Sequence, residues 1–477
     1  MNIARRFPET FLCFALLFLI SDCSRGPELT TQSPEALSAY QEGLALYEKF
    51  YYREAKASFE EALRLDSSFA MAWARMGMLN WSAKDEDQAY RDLDRATRLA
   101  ADASEREQLL IRVLSRMARY DAGGASAAAD SLISLYPEEK EAYLLRGHLY
   151  EQTKNVESAI KSYQAAIKVD TAYAPAVMSL GYAYSRAGEP EKAAAQMQRY
   201  IRLAPDAADP HASYADILVY IGRYDEALDH YQKSLELKPD YWYSIREIGR
   251  IYELMGRLRE AEGQYHTSLR LLPQNRQVEG THRTLDGVLQ IDRGNYAESV
   301  RLFQEALTID STDLDAARGL VFALSKLKKF EGAQEVIERI LKEFERRNLT
   351  ESPAMLSFHL MRSRLLTEKG DLAKAEAECD TALGFSGPLT RIAVYRQMAD
   401  IYRRQKAFEP ALDACEQALQ VNPNQPEVLL TLVRIYHDQG DRRMTKEIGQ
   451  RLMNFWAKAD PDFKNRIELM RILGVTS

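Results

Sequence analysis

The 477-residue chain reads as an all-α solenoid of about twelve stacked helix hairpins. A small residue recurs every 34 residues: sliding Ala36–Phe69 onto Ala70–Ala103 brings Gly43 to Gly77, Ala55 to Ala89 and Ala62 to Ala96. Between these columns, apolar residues such as Tyr214, Leu218 and Ile221 keep the 3–4 spacing of an amphipathic helix. Such arrays stack into one elongated core, which overrides the three globular domains that length alone would predict.

The chain opens differently. Arg5 and Arg6 precede an unbroken apolar run of ten residues, Phe11 to Ile20, followed by Ser21, Asp22 and Cys23. A bilayer-spanning helix needs ~20 apolar residues, so this segment reads as an export signal over 1–23. Leu19-Ile20-Ser21-Asp22-Cys23 resembles a bacterial lipobox with Cys23 as the lipid-accepting residue, although Asp22 stands where Gly, Ala or Ser is usual. The alternative is ordinary signal cleavage just after Cys23, with Ser21 and Cys23 as the small residues. Ser24 at the next position fits an outer-membrane lipoprotein, and residues 24–35 read as a flexible tether.

Aligned on their small residues, the units start near Ala36, Ala70, Arg106, Lys140, Ala174, Ala208, Trp242, Gly280, Leu314, Leu356, Ile392 and Pro426. Place 8 is Gly in six of them, and place 20 is Ala in ten. Small residues where two helices cross let the backbones approach; a larger one would push them apart. Gly188, Gly222, Gly256, Gly294, Gly370 and Gly440 stand where a first helix must end in a left-handed turn. Pro137, Pro205, Pro239, Pro273 and Pro423 stop the second helices. The period slips by about two residues near Ala103, four around Gln274–Glu279 and eight around Asn348–Met355. Such insertions are expected in loops on one edge of the array, with the last a candidate hinge. The expected order is repeats one to nine over 36–347, an insertion over 348–355, repeats ten to twelve over 356–459, and a capping helix with its tail over 460–477.

These residues resemble the tetratricopeptide repeat. Repeat four supplies Tyr143, Gly147, Tyr150, Ala159, Tyr163 and Ala166 at that family's marked places, and repeat seven supplies Gly249, Tyr252, Ala261, Tyr265 and Pro273. The resemblance runs from about Ala36 to Ala459 and implies a right-handed superhelix. It is specific for fold and nearly silent on function.

The chemistry of the chain excludes several classes. Net charge is −7 without a basic run, so nucleic acid is not an expected partner. The seven histidines (His148, His211, His230, His266, His282, His359 and His437) include no pair four apart. There is no phosphate loop, nucleophile elbow or Cys-x-x-Cys motif. No catalytic residue, metal ligand or cofactor is therefore expected, and the repeats leave no room for a catalytic domain. Cys379 and Cys415 fall at equivalent places in neighbouring repeats, where packed helices lie ~8–10 Å apart. Two buried thiols are expected there, not a disulfide.

The resemblance further implies that places 2, 5, 9 and 12 of each first helix line a concave wall. In the early repeats these include Tyr40, Leu44, Tyr47, Met71, Met78 and Trp81, an apolar stretch. Later they include Arg246, Arg250, Arg318, Arg364, Arg396, Arg403 and Arg434, suited to carboxylates. The expected function is a non-catalytic, exported, lipid-anchored scaffold. It would bind protein or peptide partners with an acidic portion, in the manner of bacterial lipoproteins that assist envelope assembly. The competing expectations are a small-ligand or glycan sensor, a homodimer burying the apolar wall, and arginines paired within the chain.

Overall fold

The computed structural model describes residues 29–475, except 84, 154, 273–275, 347–349 and 351–353. The expected signal, Cys23 and the first part of the tether lie outside the described residues, as do Pro273 and most of the expected hinge. The described residues form twelve antiparallel helix hairpins and a final helix, Lys464–Leu473, with no strand among them. No described helix is long and apolar enough to cross a membrane.

Local chemistry sets the helix ends. Asp85, Asp121, Asn155 and Asp441 cap second helices by accepting a backbone N–H three residues on. Ser104 and Glu107 form a capping box at the start of repeat three. Pro137, Pro205, Pro239 and Pro423 lie in the turns that follow second helices. Place 15 is left-handed in all ten repeats where it is described: six glycines and also Phe50, Tyr120, Lys328 and Lys406. The glycine column is thus one instance of a conformational requirement at that place.

Within a hairpin, the residue at place 24 fills the space that the glycine at place 8 leaves. A Cβ on Gly43 would stand 2.7 Å from Phe59, and one on Gly77 would stand 2.6 Å from Leu93. Both partners are fully buried. The core is this continuous seam of alanines, aromatics and leucines between paired helices.

The period slips are resolved mostly as helix. The two extra residues before repeat three fall at a 3-10 turn, Ala100–Asp102. Residues 276–279 do not form the expected loop; they add a turn to the first helix of repeat eight, Arg276–Asp292. The second helix of repeat nine is lengthened likewise, Phe330–Arg346.

The coil is closed by contacts between distant repeats. Lys49 pairs with Asp206, Arg53 with Asp240 and Lys238 with Glu54. The Tyr51 hydroxyl accepts the Ala208 N–H at 3.1 Å. Farther on, Asn422 donates to the Tyr224 hydroxyl at 3.1 Å and Asn424 to the Gly222 carbonyl at 3.0 Å. The segment after repeat twelve docks on repeats seven and eight: the Asp460 N–H donates to the Gly256 carbonyl at 2.8 Å, and Lys464 Nζ to that of Ile291 at 2.8 Å. Each end of the solenoid is thereby fastened to its middle.

Candidate functional site

At the N-terminal end, the first helices pack so closely that half of the expected apolar wall is core. Tyr40, Met71 and Met78 are buried, while Leu44, Tyr47 and Trp81 are half-buried against the same cluster. Tyr40 stacks at a tilt on Phe59 and Phe69, and its hydroxyl accepts from Arg75 Nε at 3.2 Å. Arg75 in turn grips Glu141 with two hydrogen bonds of 2.7 and 2.8 Å. Burial alone would raise the Glu141 carboxyl, but the Arg75 charge holds it below the ordinary range. The surface left open by this stretch is the exposed edges of Leu44, Tyr47 and Trp81, and the buried side chains hold neighbouring repeats together.

The middle of the wall is polar. Tyr182 and Tyr243 donate to Asp216 Oδ2 at 2.7 and 2.8 Å, and Tyr231 donates to Oδ1 at 2.5 Å. Asp216 is nonetheless pushed up to about 6, because burial outweighs the three donors. Beside it, Asp209 accepts from Tyr241 at 2.7 Å and Tyr200 at 3.0 Å, and burial raises its carboxyl too. Tyr182, Asp216 and Tyr243 occupy wall places 9, 9 and 2 of repeats five, six and seven. The repeat register marks all three places, but nothing in the residue types signals that the tyrosines converge on one carboxylate.

The arginine stretch is mostly paired within the chain. Arg246 and Arg250 both reach Glu247, and Arg318 reaches Asp315. Arg396 bonds Glu427 of the next repeat. Arg403 bonds Asp400 and Asp438, and Arg434 forks onto Glu468 of the final helix at 2.7 Å. The exposed Arg318–Asp315 pair contributes ~0–1 kcal/mol. Arg364 differs: among the described residues it has no carboxylate partner. Its guanidinium stands 6.0 Å from the Phe322 ring centre. Burial, then the charges of Arg396 and Arg318, disfavour its cationic form, and the Glu427 charge offsets them only in part. One convergent set of metal-ligating groups exists among the described residues, His266, His282 and Asp286, away from the wall places. Helix packing brings these together, so distance along the chain gave no sign of them.

Three family profiles described as tetratricopeptide repeat match the chain. One covers residues 290–348, another 178–241 and 323–388, and the third 36–69, 140–173 and 392–425. No curated protein matches it. Among solved structures, it is similar to MamA at 26% identity, over 33% of this chain and 93% of that one, with a TM-score of 0.29. Yeast Tom70 is 14% identical over 92% of this chain and 95% of that one, with a TM-score of 0.37. Human IFIT1, solved as a dimer with m7Gppp-AAAA, is 14% identical over 91% and 97%, with a TM-score of 0.46.

Proposed function

We propose, since the chain belongs to the tetratricopeptide-repeat family, that it is an exported, lipid-anchored scaffold whose inner wall takes an acidic segment of a protein partner during assembly of a bacterial cell envelope. Tetratricopeptide repeats make protein-interaction scaffolds and are generally non-catalytic. The observation that supports the acidic partner is Arg364, a half-buried guanidinium beside two like charges that forms no ion pair among the described residues and is only partly offset by the more distant Glu427, which Arg396 holds. An incoming Asp or Glu would supply the missing counter-charge and a bidentate hydrogen-bonding match. Arg318 and Arg396, already paired, would orient the rest of that segment. The anchor reading rests on Arg5, Arg6, the apolar run Phe11–Ile20 and Cys23.

Crosslinking and affinity capture from native envelopes would compare the wild-type chain with Arg364→Glu and with the double variant Arg396→Glu, Arg403→Glu. Loss of the captured partner in both variants is expected; an unchanged set removes the arginine wall from the function. Metabolic labelling with a fatty acid should mark the wild-type chain and not Cys23→Ser. An unlabelled wild type overturns the anchor.

A further inference from the structure

We propose that His266, His282 and Asp286 form a binding site for a divalent transition metal of the zinc class, at the junction of repeats seven and eight. His266 lies on the second helix of repeat seven, Leu258–Arg270. His282 and Asp286 lie one turn apart on the first helix of repeat eight, so both project from one face. His266 Nε2 is 3.1 Å from Asp286 Oδ1, and His282 Nδ1 is 3.0 Å from Oδ2. The imidazoles stack with centres 4.4 Å apart and planes 18° from parallel.

Two imidazole nitrogens and a carboxylate suit zinc, cobalt or nickel. With bonds near 2.0–2.1 Å, neighbouring donors on a tetrahedral ion stand about 3.3 Å apart. The observed nitrogen–oxygen separations are close to that edge and the ligating atoms all lie within 4.8 Å of one another, so an ion would seat by drawing the two rings and the carboxylate together. Three protein donors leave a fourth position open, the arrangement of metal sites that bind an outside ligand. The side chains are 35%, 34% and 20% exposed, so solvent reaches them. Both histidines line a cleft of about 730 Å³, bordered also by Arg270, Val278, Glu279 and Arg283. Val278 and Glu279 belong to the helical turn added where the 34-residue step slips. The irregularity in the repeat thus builds one side of the cleft, which is where repeat arrays often place binding. Arg283 on the rim is paired with Glu279 and Glu305, so water suits the fourth position. Without an ion, the same contacts are two N–H···O hydrogen bonds from imidazoles to a carboxylate.

The full chain, purified without a histidine tag and stripped with a chelator, would be titrated with Co²⁺ and Zn²⁺. Calorimetry would give stoichiometry, and the visible Co²⁺ spectrum the ligand field. One ion per chain is expected, in a low-coordinate nitrogen and oxygen field. His266→Gln, His282→Gln and Asp286→Asn should each weaken binding by about tenfold or more. His211→Gln, which breaks the other close imidazole pair (His211 and His230, 3.0 Å apart), should leave binding unchanged. Far-UV circular dichroism selects the variants that keep their helices. Absence of stoichiometric binding by the wild type, or its retention in any folded variant of the three, overturns the site and leaves the hydrogen-bonded cluster alone.

Discussion

Trp456 donates its indole N–H to the carbonyl of Leu254, 202 residues earlier, at 3.0 Å. The acceptor is among the last carbonyls of its helix, which has no partner within that helix. Around it, Phe463 meets Trp456 edge-on at 5.2 Å and packs where any Cβ on Gly256 would fall. This joint fastens the end of the solenoid to repeat seven. Trp456→Phe keeps most of the volume but leaves the carbonyl unsatisfied, at a cost of roughly 1–3 kcal/mol. Trp456→Ala should cost roughly 3–5 kcal/mol. Urea unfolding measures both. Hydrogen exchange should rise at residues 254–260 in Trp456→Phe, and unchanged protection there means that the joint does not hold the turns together.

Asp216 makes stability depend on pH in an unusual direction. Its folded value, about 6, lies above the ordinary aspartate range because burial outweighs the three tyrosine donors. The folded state therefore holds its proton more tightly than the unfolded chain. The associated stability is present in full below about pH 4 and is lost as pH rises through about 6, on the order of 3 kcal/mol. Asp216→Asn removes this dependence. Between pH 4.5 and 7.5 the wild type should lose stability relative to Asp216→Asn in denaturant melts; parallel pH profiles would refute the assignment.

Cys379 and Cys415 are free and fully buried. Burial pushes their thiols up to about 11 and about 12, even though Cys379 lies 3.1 Å from the Ser363 hydroxyl. Thiolate, the reactive form, is scarce at neutral pH. Maleimide should label the peptides carrying these residues only after denaturant is added, as read by mass spectrometry. Rapid native labelling, or a peptide joining the two by a disulfide, would contradict this.

The hairpins were legible because they are local. Six expected repeat starts (Ala70, Lys140, Ala174, Trp242, Leu314 and Pro426) are the first residues of helices. Gly147 and Tyr163 read correctly because each repeat solves the same packing problem. The joints were not legible: Asn422, Tyr224 and Trp456 carry no periodic mark, and their partners lie about six repeats away. The wall was legible as a set of places but not as a surface. Tyr40 and Met71 are buried because adjacent first helices pack on them, and six of the seven arginines meet carboxylates that sequence alone does not assign. The meeting of His266 with His282 was not legible, because it is the packing of two helices that brings them face to face.

The left-handed turn offers the most direct test of how the repeats share one backbone. Lys328 and Lys406 adopt φ of 57° and 61° at place 15, where six other repeats carry glycine. For a residue with a Cβ this conformation costs ~1–2 kcal/mol. Glycine removes that strain but brings greater backbone freedom in the unfolded chain, worth roughly 0.5–1 kcal/mol. Strain is the larger of the two, and both lysines are exposed. Lys328→Gly and Lys406→Gly should therefore each stabilise the protein by roughly 0.5–1 kcal/mol. Gly370→Ala provides the converse: φ is +91° and nothing lies within 4 Å of the added Cβ, so its cost isolates the conformational effect. Urea midpoints should rise for the two lysine variants and fall for Gly370→Ala. If both lysine variants lower the midpoint, the turn is not strained and the glycine column has another cause.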